Sequence, residues 1–151
     1  MTNLSDLPLA AICEDHRDLV EEVDRLARIC QRPASSCRCT ECPTVVHEAC
    51  EASLSETTAK MLQLMLEHFE REDELMLRLP RTRAAIQHCE AHRHAHVEFS
   101  ARYNKLVSTW HHADVASCIR ACRDFMRDWI HQHALRFDAE LMSLASQAAR
   151  A

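Results

Sequence analysis

Apolar positions recur every three or four residues along four stretches of the chain, and each stretch predicts a helix with one buried face. The first stripe is Leu9, Ile12, Cys13, His16, Leu19, Val20, Val23, Leu26 and Ala27. The second runs through Met61, Leu64, Met65, His68, Glu72, Leu75, Met76 and Leu79, and Pro80 ends it. Ala85, Cys89, His92, His96, Phe99, Tyr103, Leu106 and Trp110 form the third. The fourth joins Val115, Cys118, Cys122, Phe125, Met126, Trp129, His133 and Phe137. Thr82 and Asp114 stand where the N-caps of the third and fourth helices belong. The links around Pro80–Arg81 and His111–Asp114 are short, and short links set neighbouring helices antiparallel. The expected fold class is therefore all-α: an up-down-up-down antiparallel four-helix bundle.

Between the first and second stripes lies ICQRPASSCRCTECPTVVHEACEASLS, with two prolines, a serine pair and five cysteines. No helical stripe is sustained there until about residue 53. Residues 1–151 thus read as one domain, with a Cys-rich inserted loop over about 31–52 between the first and second helices.

Each of the four stripes carries histidine in the middle of an otherwise apolar face. One such histidine is usually a satisfied core residue. Four helices each doing it is different, because every buried polar group without a partner costs about 1–3 kcal/mol. A shared metal offsets that cost for all of them together.

Composition narrows the picture. The chain has no glycine, which disfavours tight hairpins and favours helices joined by ordinary loops. Acids and bases are interspersed at a net charge of −5, so neither nucleic acid nor an anionic membrane is an expected partner. No apolar run approaches a membrane span, and the first residues carry no secretory pattern, so the expected location is cytoplasmic. Eleven histidines and nine cysteines are in clear excess. A reducing compartment argues against a disulfide framework and leaves metal ligation, thiol chemistry or core packing for the cysteines.

The polar residues on the buried stripes form a set. The first helix offers His16. The second offers His68 and Glu72, a turn apart on one face, and the third His92 and His96 at the same spacing. The fourth carries His133 and Asp138, whose five-residue offset points them in different directions, leaving a carboxylate to reach sideways towards a metal held by the histidine. Five imidazoles and two carboxylates are too many for one tetrahedral zinc but suit two six-coordinate first-row metals with one open position. His88/His92 shares the spacing of His92/His96; the latter is favoured because Phe99 follows it and because it is in phase with Tyr103 and Trp110. His88 is then peripheral, His94 faces solvent, and His131 with His111–His112 belongs to the surface or a loop.

His16, His68-Phe-x-x-Glu72, His92-x-x-x-His96-x-x-Phe99 and Trp129-x-x-x-His133-x-x-x-x-Asp138 together resemble the hemerythrins, particularly bacterial hemerythrin-like domains. The resemblance covers roughly residues 10–145 outside the cysteine loop, and the up-down-up-down topology is a known property of that family. It implies two irons with an oxo or hydroxo bridge. His92, His96 and His133 would complete one iron, His16 and His68 would hold the other, and Glu72 and Asp138 would bridge them. It further implies reversible binding of dioxygen, for oxygen binding, storage or sensing, at the two-histidine iron behind an apolar wall. Leu19, Phe69, Phe99, Trp110 and Trp129 are candidates to line that wall, as core packing alone would also require. The short N-terminal arm departs from the family in having no aromatic residue.

Three other readings compete. A ferritin-like carboxylate enzyme needs Glu-x-x-His pairs, and no glutamate here has a histidine three residues later. The same core as a di-iron redox enzyme handling peroxide or nitric oxide lacks an evident substrate pocket in the sequence. Finally, Cys37, Cys39, Cys42 and Cys50, with His47, suit a zinc site or a thiol redox switch, against a plain loop of free thiols. Cys13, Cys89, Cys118 and Cys122 on the stripes read as small buried hydrophobes.

Overall fold

The computed structural model describes residues 9–30, 39–110 and 114–150. Among these residues the order is α1 (Leu9–Ile29), a 3-10 turn (Cys39–Glu41), α2 (Thr44–Arg78), α3 (Arg83–Ser108), α4 (Val115–His133), a π-helical turn (Ala134–Asp138) and α5 (Ala139–Ala148). α4, the π turn and α5 follow one another without a break. The described residues hold no strand, and no helix among them is long and apolar enough to cross a membrane.

Local chemistry sets the boundaries. The Thr82 side chain accepts from the Ala85 amide, and Asp114 accepts from the Ser117 amide, so both expected N-caps are in place. α2 stops where Leu79, the residue before Pro80, turns extended at ψ 146°. Its start differs from the sequence expectation of no helix before about residue 53, because α2 begins at Thr44. Residues 44–53 are mostly solvated, with Val45 72% exposed, so this helical stretch buries no stripe and leaves no periodic signal. Of the expected loop, the described part is non-helical only around Cys39–Pro43.

Two apolar clusters form the core. In the larger, Leu19–Leu26 of α1 meet Leu54–Phe69 of α2, Phe99 and Tyr103 of α3, and Val115–Ile130 of α4. The smaller joins Ile12 of α1 to Leu75–Leu79 of α2, Ala85 and Cys89 of α3, and Leu141 and Ala145 of α5. A polar layer separates them, and every rod contributes to it at the break between its two apolar segments. Asp15 and His16 lie between Ile12 and Leu19, Glu72 between Phe69 and Leu75, His92 and His96 between Cys89 and Phe99, and His133 and Asp138 between Ile130 and Leu141. Tyr103 ties α3 to α2 by donating its hydroxyl to the Thr58 carbonyl at 2.7 Å.

One cysteine departs from expectation. Cys89, Cys118 and Cys122 are buried, whereas Cys13 is exposed, at the edge of the α1 stripe rather than within the core. The side chain of Leu9 and residues Cys37, His111 and His112 lie outside the described residues, as does the N-terminal arm.

Candidate metal centre

The polar layer is a knot of ring nitrogens around two carboxylates. Glu72 Oε2 lies 3.3 Å from His68 Nε2, 3.4 Å from His92 Nε2, 3.0 Å from His96 Nε2 and 3.7 Å from His133 Nε2. Asp138 turns its two oxygens to opposite sides. Its Oδ2 is 2.8 Å from His16 Nε2 and 3.9 Å from His68 Nε2, while its Oδ1 is 3.1 Å from His133 Nε2 and 3.4 Å from His92 Nε2. All seven residues singled out from the sequence therefore meet in one place, five of them through Nε2. Two groupings of ligand atoms fall within 4.8 Å: Glu72, His92, His96 and His133, and His68, Glu72, His133 and Asp138. Glu72 and His133 belong to both. His16 stands outside them, reaching the knot through Asp138.

The π turn is what aims Asp138. On an α-helix, residues five apart point about 140° away from each other. Between His133 and Asp138 the chain runs as a π-helix, whose wider turn returns to the same face after five residues, so both side chains point inwards. This corrects the divergence expected from the spacing. No sideways reach is needed.

Several contacts hold the imidazoles from behind. Asp15 Oδ2 accepts from His68 Nδ1 at 3.3 Å, and Arg71 clamps that carboxylate with Nε and Nη2. His92 Nδ1 lies 3.3 Å from His88 Nε2, and His88 Nδ1 lies 3.5 Å from Glu140 Oε2. A chain of protons pointing outwards along these contacts leaves the inner nitrogens of His68 and His92 as lone pairs, the arrangement a metal ligand requires. His88 is thus peripheral but buried, and its partner is a ligand candidate. Asp15, Arg71 and Glu140 had no such role in the sequence reading, because on the linear chain they are ordinary charges on amphipathic helices. His94 and His131 are exposed, as expected.

Aromatic rings cover three of the histidines. Phe69 stacks on His96 (3.8 Å between centroids), Trp129 on His133 (4.1 Å) and Phe137 on His92 (5.1 Å). Phe99 braces Phe69 and Trp129 from behind, and Leu19 is buried in the adjoining cluster. Trp110, also named as a wall candidate, joins that cluster from beyond the end of α3. Fourteen residues of helix put it roughly 20 Å from His96 along the axis. Phe137, seen in the sequence only as part of a stripe, is the closer ring.

Electrostatics favour ligand-ready rings. Burial drives His68 down to about 4, with the neighbouring His16 adding to the fall, and it drives His96 down to about 2 together with the charges of His92 and His133. Both are neutral at pH 7. Burial raises Glu72 to about 8. It pushes Asp138 the same way, but the approach of His133, His16 and His92 outweighs it and holds that carboxyl below the usual range. The two carboxyls are thus pushed in opposite directions, as burial without a cation demands.

The residues fit a metal. His68 Nε2, both oxygens of Glu72 and both of Asp138 are buried without a hydrogen-bond partner, because the short contacts around them are not aligned as hydrogen bonds. Native interiors rarely leave such atoms orphaned, let alone five in one knot. Two ring nitrogens 2.8 Å apart, as in His92 and His133, are likewise the neighbours a common cation would make. The donors are imidazole and carboxylate with no thiolate, a set suited to first-row metals.

The model of the hemerythrin HHE cation-binding domain matches residues 7–145. The chain belongs to the hemerythrin family. No curated protein and no solved structure matches it. As a hemerythrin-family domain it is a helical metal-binding unit, and the buried His/Glu/Asp knot is where the metal fits.

Proposed function

We propose that this chain is a non-haem di-iron protein that binds dioxygen reversibly, for oxygen binding, storage or sensing. The observation that carries the reading is the division of labour at Asp138, one oxygen facing His16 and His68 and the other facing His92 and His133, which is how a carboxylate spans two ions. His92, His96 and His133 would hold one iron and His16 and His68 the other, with Glu72 and Asp138 between the two sets as shared ligands. Iron bound there would supply the electrons for binding a diatomic gas. Phe69, Phe99 and Trp129, with Leu19, keep water from the knot, while Asp15 and His88 fix the rings that face it. The scaffold is a single domain folded as an up-down-up-down bundle. The sharing of both apolar clusters by opposite ends of successive rods supports that topology.

Access has a place in this reading. A groove of about 310 Å³, bounded by Val20, Val23, Arg127, Ile130 and Ala134, opens beside His16, whose side chain is 26% exposed. His16 is the one residue of the knot that lines it, so the groove borders the two-histidine side.

The test is spectroscopic. The reduced iron-loaded protein under argon is expected to be nearly colourless, to gain visible ligand-to-metal absorption in air, and to lose it again on removal of oxygen. Irreversible bleaching, or rapid turnover of peroxide or nitric oxide in stopped-flow, would replace the carrier reading with an enzymatic one.

A further inference from the structure

A second set of metal-ligating side chains lies apart from the histidine knot, at the junction of α1, the 3-10 turn and the start of α2. Cys30, Cys39, Cys42, His47 and Cys50 face one small cavity, closed on its far side by the first turns of α4. Cys39 and Cys42 bracket the 3-10 turn in a Cys-x-x-Cys spacing, and His47 and Cys50 sit one turn apart on the same face of α2. The sequence expectation of a helix starting only near residue 53 hid that geometry. Because α2 starts at Thr44, His47 and Cys50 have fixed directions.

We propose that Cys39, Cys42, His47 and Cys50 form a structural zinc site, closing the turn onto the start of α2. The cavity measures about 20 Å³, room for one atom-sized guest and no organic ligand. The donor set, three sulfurs and one imidazole, is a common one for structural zinc. Two supporting contacts are already made. The Ala116 amide donates to Cys39 Sγ at 3.4 Å, stabilising charge on that sulfur. His47 Nδ1 lies 3.8 Å from Glu51, which leaves its Nε2 for a metal. Unlike the ligands of the central knot, no three of these atoms lie within 4.8 Å of one another among the described residues, so the ion draws in a set that the fold gathers but leaves apart.

Zinc fits this cavity better than a redox switch does, because an imidazole lines it beside the sulfurs, and a disulfide has no use for that fourth donor.

Cobalt(II) serves as the visible probe for the full-length chain, kept reduced and free of air. The central knot has no sulfur, so thiolate-to-cobalt charge-transfer absorption reports only a cysteine site. The expected result is one cobalt per chain with that absorption, displaced by zinc, and absent from a C39S/C42S variant that still loads its histidine centre. In the wild type, zinc is expected to slow alkylation of Cys39, Cys42 and Cys50 at least tenfold while exposed Cys13 reacts unchanged. This second measurement stands even if the double variant does not fold. The proposal is overturned by a saturated chain with no thiolate absorption, by absorption that survives in C39S/C42S, by alkylation indifferent to zinc, or by a disulfide among these cysteines that persists with no metal taken up. None of these outcomes bears on iron at the histidine knot.

Discussion

On the α3–α4 side of the polar layer, His92, His96 and His133 each lie under an aromatic ring and are buried. On the α1 side, His16 is a quarter exposed, meets the layer through Asp138 and the ring of His68, and borders an open groove. Both sides use the same ligand chemistry, so the difference lies in packing. A stacked, desolvated ring cannot swing away, which suits a side that only holds metal. On the proposed reading, the side that admits the gas is the one with a less enclosed ligand, and that ligand comes from α1. His68, on the same side, is anchored by Asp15 and Arg71, so the looseness is confined to one residue.

The contrast is open to direct attack. The largest effect is expected from His133→Ala. His133 belongs to both ligand groupings and supports the Trp129 stack, so its loss should release both irons and cost about 3 kcal/mol or more, as removing one member of a buried charged network does. Iron analysis and denaturant unfolding check it.

Glu72→Gln acts on both sides at once, and its effect on the metal-free chain runs the other way. The folded-state pKa of Glu72 is raised, so its contribution is intact below about 4.5 and is lost as pH rises towards about 8. The variant should therefore be more stable than the metal-free wild type at pH 8, by on the order of 4 kcal/mol, with the gap closing towards pH 4.5. His68 has the opposite sign. Its pKa is lowered to about 4, so stability present above 6.5 is lost as pH falls through that window. The metal-free chain should accordingly weaken in both directions, and Glu72→Gln should remove only the alkaline limb. Urea unfolding across pH reads this out.

His16→Ala should cost only about 1 kcal/mol, because the ring is partly solvated, and should leave one iron on the closed side. Equal loss of iron in His16→Ala and His133→Ala would erase the distinction between the two sides. Removing the proton chain behind His92 with His88→Ala should weaken iron binding about tenfold to a hundredfold while sparing the stoichiometry at excess iron. Smallest of all, Val20→Trp at the groove should leave stability within about 0.5 kcal/mol and iron content unchanged, yet slow oxygen association in stopped-flow.

Much of this was legible along the chain, for identifiable reasons. His68 with Glu72 and His92 with His96 are spaced at one helical turn, and the periodicity that predicts the helix also gathers the ligands. Caps at Thr82 and Asp114 declare themselves through side chains suited to open backbone amides. The π turn did not, since nothing in ALRFD distinguishes a wide turn from a regular one. The start of α2 was hidden because a solvated helix buries no stripe, so Val45 and Val46 read as loop. Asp15, Arg71 and Glu140 were equally silent. Their role rests on distances across helices 56 and 52 residues apart in sequence (Asp15 to Arg71, His88 to Glu140), which no local pattern encodes.

The central claim is that one buried layer holds two irons, and iron stoichiometry in the purified, reduced protein tests it most directly. Elemental analysis should find two irons per chain, with zinc limited to the one equivalent assigned to the cysteine pocket. A single ion per chain, or zinc filling the histidine layer in iron-replete cells, would contradict the account.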